Sequence, residues 1–169
     1  AIRRLPQDLK QMLRLFDDPD LEDDDRVRVA GALLHTLSGA NVLPGLAGTL
    51  AYFDDALLLR MLMLDLGKRY PDLQSRLETD LEMAWDALGA EVEQARAELG
   101  ERDAASLDKA LSLLHKAQYK GQHAKQAATD DEAAETLYDT VQEQLTESFD
   151  FDEAEKERAL RQDIASLRN

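Results

Sequence analysis

Two adjacent carboxylates, Asp54 and Asp55, stand in the most apolar part of the chain, where SGANVLPGLAGTLAYFDD (residues 38–55) runs into ALLLRMLMLDL. Paired acids can share general-acid and general-base work, hold a divalent cation, or accept hydrogen bonds from backbone N–H groups. Two buried carboxylates without partners are costly or take up protons. Positions 57 to 59 are all leucine, so neither acid has a basic residue three or four places on. The expected role is therefore structural. Backbone N–H groups of the loop at residues 41–48, which carries Asn41 and Pro44, would donate to the pair, or Arg26, Arg28 or Arg60 would pair with it. A solvent-facing pair and a metal or catalytic site are the alternatives.

Other constellations carry weaker chemistry. Lys109, Lys116, Lys120 and His123 follow at steps of seven, four and three residues, which on a continuous helix places them on one face. Such a face would suit an anionic lipid or an acidic protein, but residues 130–157 supply twelve acids against one lysine and offer partners within the chain. The run DDPDLEDDD, residues 17–25, holds seven acids, yet Asp23 stands where a calcium loop needs its turn glycine and Val29 where it needs its glutamate. A solvated linker is the expectation there. His35 has no second histidine near it in sequence and is expected at the edge of the core. No phosphate-binding glycine loop, nucleophile elbow or zinc-spaced histidine pair is present, so no cofactor and no metal are expected.

The elements that must position these residues are helical. Apolar residues recur at helical spacing nearly throughout, and no stretch alternates like a half-buried strand. The fold class expected is all-α, a bundle or array of six to seven helices. Pro6 suits the first turn of a helix over 6–17, and Val27, Ala30, Leu33, Leu34 and Leu37 share a face of a second. Three glycines and a proline break residues 38–48. A third helix follows, apolar almost all round and hence expected at the centre. After Tyr70-Pro71, near-heptad spacing from Leu73 to Leu99 predicts one long fourth helix, which either bridges two halves of the chain or forms a homodimer seam. A fifth helix is expected over 103–129, burying Leu107, Leu111, Leu114, Gln118 and Gly121. A sixth would start at Asp130 or Asp131 with Leu137, Tyr138, Val141, Leu145 and Phe149, and a seventh would cover 152–167. The main boundary is expected near residue 70, giving a first unit at 1–70 and a C-terminal antiparallel region at 71–169, the two possible as one continuous domain.

Length and charge narrow the function. A chain of 169 residues can bury a sizeable core. Its formal net charge of −15 argues against nucleic-acid binding. The absence of cysteine excludes disulfides and thiolate metal sites and suits the cytoplasm. AIRRLPQDLK has no apolar core of a secretion signal and begins without Met, as a trimmed chain would. Glycines and a proline interrupt the longest uncharged run, 36–53, so a membrane span is not expected, although a position at the membrane surface stays open.

The segment at 27–64 resembles the YkvA family, a bacterial family built around a domain of unknown function whose pattern reads roughly sPxDLIPDxxPxxGyxDDaxxl. Ser38 meets the leading serine, Leu43-Pro44 the Ile-Pro, Tyr52 the frequent aromatic, and Asp54-Asp55-Ala56 the DDa. Gly39, Asn41, Gly45, Gly48 and Ala51 depart from it, so two of the family's acids are lost and two kept. The resemblance implies no reaction. The expected function is a non-enzymatic interaction or scaffold protein that binds another protein through helix faces. A peripheral membrane protein is the alternative, and a metal-dependent enzyme using Asp54 and Asp55 the second alternative.

Overall fold

The computed structural model describes residues 2–46 and 48–148. These residues form eight α-helices: α1 (Leu5–Phe16), α2 (Asp23–Ser38), α3 (Phe53–Arg69), α4 (Pro71–Leu81), α5 (Trp85–Leu99), α6 (Glu101–Leu113), α7 (Ala124–Thr129) and α8 (Asp131–Ser148). Short 3-10 turns cover Ile2–Arg4, Gly48–Tyr52 and Leu114–Lys116, and two two-residue strands, β1 (Gln118–Tyr119) and β2 (Gln122–His123), make one small hairpin. The chain is all-α, and the expected seventh helix at 152–167, like Phe149, lies outside the described residues.

α3 is the axis of the packing. One side of it, through Ala56, Leu59, Leu62, Met63 and Leu66, joins a core built with α1, α2, α4 and α8. The other side, through Leu57, Leu58 and Met61, joins a smaller core with Leu43, Val92 of α5 and Leu107 of α6. Both faces are therefore dry, which is why its sequence shows no polar stripe. Residues after 70 contribute to the same two cores as residues before it, so the halves meet around a shared interior.

Two helical glycines mark close approaches between elements. A Cβ built on Gly31 of α2 would lie 1.9 Å from the Leu114 carbonyl oxygen, and one on Gly67 of α3 would lie 2.2 Å from the Trp85 ring. Only hydrogen fits at either site.

The long fourth helix is not continuous. It stops at Leu81, Glu82 takes left-handed backbone geometry (φ 49°), and α5 restarts at Trp85, whose N–H donates to Glu78 Oε1 at 2.8 Å. Leu73, Leu77 and Leu81 before the break and Leu88 after it face the larger core, while Val92 faces the smaller one. Packing thus overrides a sequence that has no glycine or proline at the break. Of the residues of the expected homodimer seam, Leu73, Leu77, Leu81, Leu88 and Val92 are each at most 3 % exposed, while Ala95 and Leu99 are half-buried and Ala84 is exposed.

The fifth helix is also divided. α6 ends at Leu113, and Lys120-Gly121, both at positive φ (47° and 80°), form the two-residue turn of the β1–β2 hairpin. Positive φ at both central positions matches the twist of paired strands. Leu107 and Leu114 are buried as expected, whereas Gln118 and Gly121 are exposed. α8 starts as expected, with Asp130 Oδ1 accepting the Ala133 N–H at 2.8 Å, but Tyr138 is 38 % exposed and stands off the core.

Candidate functional site

Asp54 and Asp55 open the first turn of α3 and are 0 % and 2 % exposed, so the solvent-facing alternative does not hold. Asp54 Oδ2 accepts the backbone N–H groups of Val42 and of Leu43, the latter at 3.3 Å. Its Oδ1 accepts the Asp55 N–H at 3.1 Å. Both oxygens are thus engaged, and residues 42 and 43 are tied back onto α3. The segment can reach this position because Gly39, in left-handed geometry (φ 63°), ends α2. Asn41 and Pro44 are exposed, and Asn41 Nδ2 donates to the Leu46 carbonyl at 3.5 Å.

Asp55 has a different environment. Its Oδ1 faces His35 Nε2 of α2 at 3.7 Å, and neither atom has a hydrogen-bond partner among the described residues. Burial, reinforced by the neighbouring Asp54 charge, pushes the Asp55 carboxyl up to about 8. Burial also lowers His35 below its ordinary value, against an opposing pull from Asp54. The proximity of His35 to Asp55 has no local sequence signal, since the two residues are brought together only by the packing of α2 on α3.

The three arginines considered as partners go elsewhere. Arg60, 1 % exposed, donates Nε to Asp8 Oδ2 of α1 at 2.9 Å and reaches Glu91 of α5 with Nη1. Burial raises Asp8, and Arg60 offsets part of that rise. Arg26 donates to the Asp18 carbonyl at 2.9 Å. Arg28 spans Asp25 at 3.2 Å and Asp65 at 2.7 Å.

The acidic run is not a wholly solvated linker. Asp18 and Asp25 are 7 % and 2 % exposed. Asp18 Oδ2 pairs with Arg76 of α4 at 2.6 Å, and Asp25 takes Arg69 at 2.6 Å and the Tyr70 hydroxyl at 2.8 Å. Burial works against ionisation of Asp25, but the hydrogen bonds from Tyr70, Arg69 and Arg28 together hold its carboxyl below the ordinary range. This end of α3 borders a pocket of about 350 Å³ lined by Asp18, Asp20, Arg69, Tyr70 and Arg76 among others. It lies roughly 20 Å along the helix from Asp54, by the rise of 1.5 Å per residue.

The basic surface is dispersed by the broken fifth helix. Lys109 is on α6, Lys116 on a 3-10 turn, Lys120 at the hairpin tip and His123 on β2; all four are exposed, but they do not share a helix face. Gly121 is the sequence signal that could have shown this, because Lys-Gly between short extended runs suits a tight hairpin. Among the described residues no three histidine, cysteine, aspartate or glutamate side chains converge as metal ligands, and no helix is long and apolar enough to cross a membrane.

No protein-family model matches the chain, and neither a curated protein nor a solved structure is significantly similar to it.

Proposed function

We propose that this chain is a non-enzymatic helical interaction module of the bacterial cytoplasm that binds another protein through residues 41–46 and the adjoining start of α3. One observation carries the reading: Asp54 spends both carboxylate oxygens on backbone N–H groups, two of them from this segment. An acid so engaged fixes a surface rather than holding a substrate or cation. The surface it fixes carries half-buried Val42, Leu46, Tyr52 and Phe53 beside exposed Asn41 and Pro44. The resemblance of this segment to the YkvA family is consistent with a shared use but supplies no reaction.

A peripheral membrane role has less behind it. The apolar third helix that suggested it turns its leucines into the two cores, and α5 and α6, which flank the segment, carry seven acids against three bases over residues 85–113. Anionic lipid would be repelled. A metal-dependent enzyme at Asp54 and Asp55 would need ligands beyond one engaged and one unengaged carboxylate. Photo-crosslinking from position 46 in the native cytoplasm tests the proposal: a discrete protein adduct, lost in a Val42→Lys, Phe53→Lys chain that keeps its circular dichroism, is expected. Adducts that persist unchanged in that variant, or sedimentation of the chain with anionic vesicles at low salt, would overturn it.

A further inference from the structure

We propose that His35 and Asp55 form a binding site for one exchangeable proton, and that loss of this proton loosens residues 42–43 from their anchor on Asp54. The geometry is specific. His35 Nε2 and Asp55 Oδ1 face each other at 3.7 Å, slightly beyond a hydrogen bond, and both are buried without another partner. One proton between them satisfies a donor and an acceptor at once, whichever of the two holds it. With that proton lost, the neutral imidazole still keeps one N–H, but the Asp55 carboxylate is then charged and sits one residue from the Asp54 carboxylate in a dry site.

Among the described residues, no neighbouring cation is placed to relieve that repulsion. Of the charged groups on elements packed against α3, Arg60 is held by Asp8 of α1 and Glu91 of α5, and Arg4 donates to the Leu81 carbonyl. Arg3 of the first turn is exposed and has its own interaction, as has Tyr52 of the 48–52 turn. Asp108 of α6 pairs with Arg96, and on α4 Arg76 pairs with Asp18 while Glu78 caps α5. Around His35, Lys10 and Arg14 of α1, His115 and Lys116 of the 114–116 turn, Lys125 of α7 and the acids of α8 are exposed to solvent, while buried Asp8 of α1 is held by Arg60. The cheapest relief is to admit water between α3 and residues 42–43, whose two N–H groups are held only by Asp54 Oδ2. The departing proton goes to solvent. The pKa directions agree, since the Asp55 carboxyl is pushed up and the His35 imidazole pulled down, leaving the pair with one proton near neutrality.

The test uses the whole chain. Carbon-detected NMR across pH 5 to 10 should show the Asp55 carboxyl titrating near 8. Across the same interval amide exchange at Val42 and Leu43 should accelerate at least ten-fold beyond the base-catalysed increase, and the extra step should vanish in Asp55→Asn. An Asp55 titration in the ordinary carboxylate range near 4, or no extra exchange at Val42 and Leu43 in the wild-type chain, would overturn the proposal even if the variant does not fold. Neither readout involves a partner, so its failure is separate from failure of the interaction reading.

Discussion

Asp54 and Asp55 share a helical turn and a dry environment yet differ in what their oxygens meet. Asp54 accepts three N–H donors, whereas Asp55 Oδ1 faces His35 with no hydrogen-bond partner among the described residues. Replacing Asp54 with asparagine keeps the shape but removes the charge that strengthens its bonds, and urea denaturation should show a loss of about 1–3 kcal/mol. Asp55 makes stability depend on pH in a direction that can be worked out. Its folded carboxyl is raised from 3.8 to about 8, so the native chain binds the proton more tightly than the unfolded chain. That contribution is full below about pH 4 and declines as pH rises toward 8. Asp25 acts oppositely, because its lowered carboxyl adds stability that is lost as pH falls below the ordinary carboxylate range. Denaturation midpoints should therefore fall from pH 5.5 to 8.5 in the wild-type chain and fall less in Asp55→Asn. Equal slopes in the two chains would contradict this assignment. Because the adjacent leucines leave no local basic partner, the sequence pointed the pair either to the 41–48 loop or to Arg26, Arg28 or Arg60, and left open which. It held no sign of His35, since a contact across twenty residues depends on how α2 crosses α3.

Among the elements, α3 ties the fold together because every face of it is used. Its all-round apolar sequence made that legible, and the described structure puts it between two cores. Arg60 crosses this dry region to link α1 and α5 through Asp8 and Glu91. Breaking a buried pair by removing one partner costs about 3–5 kcal/mol, so Arg60→Met should destabilise strongly, and Asp8→Leu added to it should recover much of the loss in a double-mutant cycle. Gly67→Ala should lose about 1–3 kcal/mol by forcing Trp85 off the helix, as overpacking does. Thermal unfolding will read that change, and an unshifted midpoint would show that Trp85 can move freely. The breaks at Glu82 and at Lys120 were less legible for different reasons. Glu82 has no turn-forming residue beside it, and just past the bend the Trp85 ring packs on Gly67, a long-range contact that leaves no local signal. Gly121 was a local signal, outweighed by the helical periodicity on either side of it.

Across the whole molecule, charge and packing divide the surface from the interior. The chain carries a net charge of −15, yet Asp8, Asp18, Asp25, Asp54 and Asp55 are buried. Four of these five acids join separate elements: Asp8 joins α1 to α3, Asp18 the α1–α2 turn to α4, Asp25 α2 to the end of α3, and Asp54 the 41–46 segment to α3. The all-helical class followed directly from periodicity. The sharing of cores between residues before and after 70 did not, because it is a property of three-dimensional packing that amphipathic stripes alone leave open. Asp54 holds residues 42–43 in place. Amide hydrogen exchange at Val42 and Leu43, compared at pH 6 between the wild-type chain and Asp54→Asn, tests it most directly. The expected result is a loss of protection of at least ten-fold at these two amides, with the amides of the α3 interior changing much less. Protection that is equal in the two chains would contradict it.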